Sequence, residues 1–315
     1  RHSNMWPRPK AAELGISSME FIRRACREKI SGGAKTDTAS TLVTSIYTVS
    51  ILLYSTMTRH PSVAEILENV RNGVLDPSAA EAMLAESSIA CVGEVARLDL
   101  ERGIRCGIPE VVLAEGKDTE SLVKIMHDYV QATGRCVASR VRPEQAAAVC
   151  ASLPPRVSAD FREICGILIL SDGTVPTPSG GTIAVVTAGT SDIRVAEEAR
   201  AIAEEMGSRV LTAYDVGVAG IHRLFPALEA LHEADVYVVC AGREGTLPSV
   251  VAGLVDKPVV GVPVSTGYGY MGKGEAALAS MLQSCAVITV VNIDAGFCAG
   301  AFAARIAALV GGGRR

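Results

Sequence analysis

The stretch Gly261–Gly300 sets Cys285 between a glycine-rich turn and an apolar strand that closes on Asn292-Ile293-Asp294. A cysteine so framed is a candidate nucleophile, because its thiolate both attacks and leaves well. Its other reading is a structural cysteine at a helix end, since cysteine is among the most buried residue types. A nucleophile needs a nearby base. Glu244, set among glycines in Ala241-Gly242-Arg243-Glu244-Gly245, is the candidate, and a solvated loop carboxylate is its other reading. Further polar residues gather in similar short runs: Thr190-Ser191-Asp192, His222-Arg223, Gly267-Tyr268-Gly269 and Gly272-Lys273-Gly274. Small residues before a helix let backbone N–H groups meet an anion, and the helix N-terminus favours negative charge.

The elements that must position these residues alternate regularly from Thr182 onward. Near-continuous apolar runs at 183–187, 209–213, 235–240, 258–262 and 287–291 predict strands. Amphipathic segments lie between them; over 193–206 the residues Val195, Ala199, Ile202, Ala203 and Met206 share one face. Apolar strands separated by helices predict a parallel sheet covered on both faces, a flavodoxin-like three-layer α/β domain over 182–312. The polar runs then fall at the carboxyl ends of the strands, where such sheets bind ligands. Ordinary βα turns are also rich in Gly, Ser and Asp, but five such ends carrying Cys, Glu, His, Arg and Lys favour a nucleotide-like site. The first loop lacks G-x-G-x-x-G, and no G-x-x-x-x-G-K-[ST] occurs, which disfavours a dinucleotide dehydrogenase and a P-loop NTPase.

Upstream, a smaller α/β domain is expected over 61–170, with helices at 62–71, 78–85, 119–132 and 143–152. Its strands are expected near 95–100, 111–114, 135–141 and 164–170. The Ser/Pro/Gly-rich segment 171–181 reads as a linker. Residues 1–60 differ: nine Lys/Arg stand against four Asp/Glu, as in an organelle import signal or an extension without fixed structure. Their apolar run 42–57 falls short of the roughly 20 residues of a bilayer span. A net charge of −4 advertises neither nucleic acid nor an anionic membrane as partner. Nine cysteines without Cys-x-x-Cys or zinc spacing argue against a disulfide framework and for a reducing, cytoplasmic setting.

Six blocks in order carry a family resemblance: ARLDLERGIRCGIPEVVLAEGK (96–117), TAGTSD (187–192), DVGVAGIHR (215–223), AGREGTLPSVVAGL (241–254), GVPVSTGYG (261–269) and SCAVITVVNIDAGF (284–297). Together they resemble LarB, the pyridinium-3,5-biscarboxylic acid mononucleotide synthase of nickel-pincer cofactor synthesis. Its C-terminal half is similar to the aminoimidazole ribonucleotide carboxylase/mutase enzymes of purine synthesis. The resemblance implies carboxylation of the pyridinium ring of nicotinic acid adenine dinucleotide, cleavage of the phosphoanhydride and release of AMP. It makes Cys285 the nucleophile and Glu244 the base. It gives Ser191 a phosphate and Asp192 ribose hydroxyls, with a plain N-cap as the alternative, and gives His222 and Arg223 a phosphate or carboxylate. Thr190, Gly242, Gly267 and Gly269 line the pocket; Tyr268 stacks on the ring or packs the turn; Lys273 binds phosphate or stands in solvent. Asn292 and Asp294 orient substrate or help hold Mg²⁺, expected to ride on the substrate. Asp99, Arg102, Arg105 and Glu110 form a charged run that meets the adenylate side or joins the two domains by salt bridges. The carboxylase relatives imply a homo-oligomer, an octamer. A purine-type carboxylase or mutase and a non-catalytic nucleotide-binding module are the competing functions.

Overall fold

The computed structural model describes residues 63–81, 89–92, 96–99, 102 and 106–312. The extension 1–60, with its apolar run, lies outside them. The described residues belong to one compact unit, Val63–Arg315.

Helix α1, Val63–Arg71, stops where expected, and Gly73 turns the chain at φ +68°. A second short helical segment, 77–81, follows Asp76, whose carboxylate accepts the Ser78 N–H at 3.2 Å. Strands β1 (Ile89–Val92) and β2 (Ala96–Asp99) pair antiparallel. The sequence reading anticipated only the second of them.

A four-stranded mixed sheet follows, built from β3 (Val111–Leu113), β4 (Arg135–Ser139), β5 (Ser158–Arg162) and β6 (Ile167–Ser171) in the order β3-β4-β6-β5. Helix α2, Thr119–Thr133, lies between β3 and β4. It starts on Asp118, which accepts the Ser121 N–H at 2.8 Å, and ends at Gly134 with φ +78°. It buries Leu122, Ile125, Met126 and Tyr129, the face its periodicity predicts. Helix α3, Pro143–Ala151, follows β4. Strand β5 was not anticipated: it is an edge strand, Ser-Ala-Asp-Phe-Arg, with no residue fully buried. An edge strand shows water one face and one border, so its sequence loses the apolar run that marks central strands.

The second sheet is parallel throughout, as the apolar runs require. Its strands are β7 (Thr182–Thr187), β8 (Arg209–Ala213), β9 (Val236–Ala241), β10 (Val259–Pro263) and β11 (Thr289–Val290). Their order, β11-β10-β9-β7-β8, is that of a flavodoxin-like domain. Helix α4 (Ile193–Glu205) follows β7, α5 (Leu224–Ala230) follows β8, α6 (Leu247–Ala252) follows β9, and α7 (Glu275–Leu282) follows β10. Helix α8 (Gly296–Gly312) closes the fold. Residues of α4 and α8 bury one face of the sheet, and residues of α5, α6 and α7 bury the other. The three-layer expectation therefore holds. Helices α4 and α8 pack backbone to backbone: a Cβ on Gly300 would stand 2.3 Å from the Ala199 carbonyl oxygen.

A further apolar cluster joins the two sheets, with Val137, Cys165, Ile167 and Ile169 on one side and Ala201, Ile202 and Ala301 on the other. Its rim carries two ion pairs. Arg135 makes a two-pronged contact with Glu205, at 2.6 and 2.7 Å, and Arg162 meets Glu204 at 2.6 Å. Among the described residues no helix is long and apolar enough to cross a membrane.

Candidate active site at the carboxyl edge of the parallel sheet

All strands of this sheet run the same way, so their carboxyl ends share one edge. The order of the sheet reverses between β7 and β9, and the loops leaving those two strands flank a natural crevice. After β7 the chain enters a short 3₁₀ turn, Thr190–Asp192, leading into α4. Thr190 and Ser191 are exposed, whereas Asp192 is 3% exposed. The Asp192 carboxylate accepts the Gly189 N–H at 2.8 Å and the Thr266 hydroxyl at 3.3 Å, so it ties the β7 loop to the β10 loop. Burial pushes this carboxyl above the usual carboxylate range, and the charge of Glu244 adds to the rise against those two hydrogen bonds.

The loops pack closely enough to require glycine. A Cβ on Gly242 would stand 2.9 Å from both Asp192 Oδ1 and Thr266 Oγ1, and one on Gly267 would stand 2.0 Å from the Gly242 carbonyl oxygen. At the far end, the Ser265 N–H donates to Asp294 Oδ1 at 2.9 Å, fixing the β10 loop to the end of β11. On the other flank, the Asp215 N–H donates to Thr187 Oγ1 at 3.0 Å. Arg223, in the 3₁₀ segment Val218–Arg223, reaches Asp215 at 2.5 Å, and both His222 and Arg223 are exposed. Asp215, Lys273 and Asp294 adopt positive φ, three of the five described non-glycine residues that do. Left-handed non-glycine backbone concentrates where surroundings over-determine it, and here it marks the same edge.

Thr190, Ser191, Asp192, His222, Arg223, Gly242, Glu244, Gly267, Tyr268, Gly269, Lys273, Asn292 and Asp294 thus all lie in the loops of this edge. The Asn292 side chain accepts its neighbour's N–H, that of Ile293, at 2.8 Å. Sequence reasoning passed over Arg243 and Thr266. Thr266 stands beside Gly267 and Arg243 beside Glu244, and the partners of both lie on other loops. Arg243 Nη1 donates to the Tyr268 hydroxyl at 2.5 Å, and its guanidinium carbon lies 4.4 Å from that ring's centroid. Ahead of β3, Arg102 pairs with Glu110 at 2.9 Å, so that part of the charged run is satisfied within the run itself. Arg105 and the Asp99 side chain fall outside the described residues.

Cys285 does not join this edge, which corrects the expectation that one chain sets it near Glu244. Val260 pairs with Thr289 and Gly261 with Val290, which sets the amino end of β11 beside the amino end of β10. Helix α7 carries the chain back from the carboxyl edge, and Cys285 lies between α7 and β11. It is exposed at the amino edge, flanked by Leu282 and Val287, which are 68% and 95% exposed. Ser284 beside it accepts the Ser249 hydroxyl of α6 at 2.7 Å. Within one chain, β10 alone spans about 13 Å, at about 3.3 Å per step, between the edge that carries Glu244 and the edge that carries Cys285.

Two family models match the chain: AIR carboxylase over residues 182–311, and the LarB/PurE-like N-terminal domain over residues 90–172. An uncharacterized protein of Methanocaldococcus jannaschii is 39% identical over 264 residues, which cover 79% of this chain and 98% of that relative. The chain belongs to the LarB family. The N5-carboxyaminoimidazole ribonucleotide mutase of the same archaeon is 36% identical over 132 residues, 40% of this chain and 79% of the mutase. A probable mutase of that kind from Methanothermobacter thermautotrophicus is 32% identical over 130 residues, 39% of this chain and 37% of the relative. This LarB-family chain therefore takes its place among carboxylase and mutase enzymes.

Proposed function

We propose that this protein carboxylates the pyridinium ring of nicotinic acid adenine dinucleotide and cleaves its phosphoanhydride, releasing AMP and pyridinium-3,5-biscarboxylic acid mononucleotide for nickel-pincer cofactor synthesis. The observation that carries the reading is the union of an AIR carboxylase sheet with a LarB-type N-terminal domain in one chain. A purine-type mutase reaction accounts for the first and leaves the second, and Cys285, without a role.

A pyridinium ring is electron-poor and cannot attack carbon dioxide. The Cys285 thiolate adds to ring carbon 4, and the neutral dihydropyridine so formed is nucleophilic at carbon 5. Carbon 5 bonds to carbon dioxide. Glu244 takes the proton that carbon 5 carried, and departure of the thiolate from carbon 4 restores the aromatic cation. Ring carbon 5 thus exchanges a proton for a carboxylate, with no net oxidation. The phosphoanhydride is cleaved by water. Thr190, Ser191, Lys273, His222 and Arg223 supply donors to phosphate and carboxylate oxygens, and the buried Asp192 holds the β7 and β10 loops around them. Gly242, Gly267 and Gly269 admit the ligand close to the backbone, while Asn292 and Asp294 close the far wall. Among the described residues no group of three His, Cys, Asp or Glu side chains gathers as a metal site. A Mg²⁺ ion serving the anhydride would ride on the phosphates, and none of the steps above runs through it.

The scheme needs Cys285 beside Glu244, which one chain does not provide. A homo-oligomer does: the Cys285 loop of one copy enters the Glu244 edge of another. The exposed apolar side chains Leu282 and Val287 around the thiol, and Tyr270 and Met271 on the loop that follows β10, suit such a contact. The octamer implied by the carboxylase relatives is one closed arrangement that repeats it.

The test incubates the protein with nicotinic acid adenine dinucleotide, bicarbonate and Mg²⁺, and follows product mass and AMP. A carboxylated pyridinium mononucleotide with equimolar AMP is expected. Turnover of carboxyaminoimidazole ribonucleotide in its place points to the purine reaction, and tight dinucleotide binding without turnover points to a binding module.

A further inference from the structure

Arg243 has no carboxylate partner among the described residues; its guanidinium lies over the Tyr268 ring instead. Both residues stand on rigid roots. Gly242 behind Arg243 is wedged under Asp192 and Thr266, and Gly267 behind Tyr268 abuts the Gly242 carbonyl. Their side chains nevertheless stand in water, Tyr268 being 73% exposed. A cation over a tyrosine face at such an exposed site shifts an equilibrium by a factor of only about two to five, and the Arg243 hydrogen bond to the exposed Tyr268 hydroxyl is one that water replaces. Another flat, delocalised cation can therefore displace it. A pyridinium ring is such a cation, and an aminoimidazole ring is neutral.

We propose that the Arg243–Tyr268 pair is an exchangeable cation–π seat. The ring face covered by the Arg243 guanidinium receives the cationic pyridinium of the substrate, and the displaced guanidinium turns to the dinucleotide's phosphates. This inference rests on the pyridinium reading above and adds a source of specificity to it. The seat lies on the same loop edge as Glu244, the sequence neighbour of Arg243. It binds the cationic ground state and loses its hold once the ring becomes a neutral dihydropyridine, so its loss raises KM without lowering kcat. The freed guanidinium then faces anions as a two-pronged donor.

The test measures binding by calorimetry of three probes: nicotinic acid adenine dinucleotide, its 1,4-dihydro form with a neutral ring, and nicotinic acid riboside, which has the cationic ring without phosphate. Wild-type protein should prefer the cationic dinucleotide over its dihydro form by about 5- to 30-fold. Tyr268→Phe should keep that preference and Tyr268→Leu should lose it. Arg243→Gln should act with opposite signs, binding the riboside about two- to five-fold more tightly because the competing cation is gone, and the dinucleotide more weakly. Equal preference in wild type and Tyr268→Leu overturns the seat, as does Arg243→Gln weakening both ligands alike. If wild-type protein carboxylates the dinucleotide while Tyr268→Leu binds normally, the seat falls and the reaction stands. If cation-selective binding appears without carboxylation, the seat stands and the reaction falls.

Discussion

Mixing two inactive variants tests the placement of Cys285 directly. Cys285→Ala removes the thiolate and Glu244→Gln removes the base, so each pure variant should be inactive in forming the carboxylated product. The two side chains lie at opposite edges of one sheet, and β10 alone spans about 13 Å between those edges. A thiolate that bonds to ring carbon 4 and a base that takes the proton from carbon 5 must stand within a few ångströms of neighbouring atoms. If each site takes its thiol from one copy and its carboxylate from another, random exchange of an equal mixture leaves about one site in four with both native groups. The mixture should therefore recover about a quarter of wild-type turnover. If both groups act within one chain, every site holds at least one lesion, and no activity returns at any mixing ratio. The assay follows AMP release and product mass after the variants are mixed, with exchange checked by native mass spectrometry on a tagged copy. Exchanged oligomers without turnover refute the two-copy site.

Gly267→Ala should disable the site with the fold intact, because its Cβ would lie 2.0 Å from the Gly242 carbonyl oxygen. The β10 loop must then move by about 1 Å, and a misplacement of that size costs about 100-fold in turnover; unchanged kinetics would count against close packing of the loops. Asp192 is raised by burial, so the folded chain holds that proton to higher pH than the unfolded chain does. Its contribution to stability falls as pH rises from about 4 through the raised value, and Asp192→Asn removes that slope. Urea titrations across the window should show the stability difference moving in the variant's favour with pH, and a constant difference would contradict it. Arg135→Ala should destabilise by about 3 kcal/mol, because it strands Glu205, whose side chain is 4% exposed, without its cation. Thermal unfolding reads this, and the double variant Arg135→Ala, Glu205→Leu should recover much of the loss.

The parallel sheet was legible because its central strands are buried on both faces. Val185, Val238 and Val260 leave no polar alternation to confuse them with edge strands. Edges were harder. Ser158–Arg162 alternates polar and apolar residues beside a single partner, a strand signal that five residues with only Ala159 and Phe161 apolar carry weakly. The last strand was expected over 287–291 but pairs only at Thr289–Val290, and Val287 stands 95% exposed. An exposed apolar residue reads from sequence as strand, whereas its surroundings here suit a contact with another copy. The loops that gather at the carboxyl edge were legible one by one. Their mutual ties, Asp192 to Thr266 and Arg243 to Tyr268, were not, because those pairs are joined only through strand order.

The misplacement of Cys285 has a length argument behind it that was already open to the sequence. The glycine turn before it follows one strand, and an apolar strand comes after it, which in sequence reads as a place between two ends of the site. Yet in a parallel sheet the segment joining one strand's carboxyl end to the next strand's amino end must run the whole way back. Helix α7 has eight residues, whose seven steps of about 1.5 Å cover about 10 Å, most of the about 13 Å that the four steps of β10 span. Whatever follows such a helix and precedes the next strand belongs to the amino edge. A reactive residue there either serves packing or completes a site on another molecule. Cys285 is exposed and flanked by exposed apolar residues, which argues against packing within its own chain. The same side chains that leave the thiol outside its own site suit it to a neighbour's.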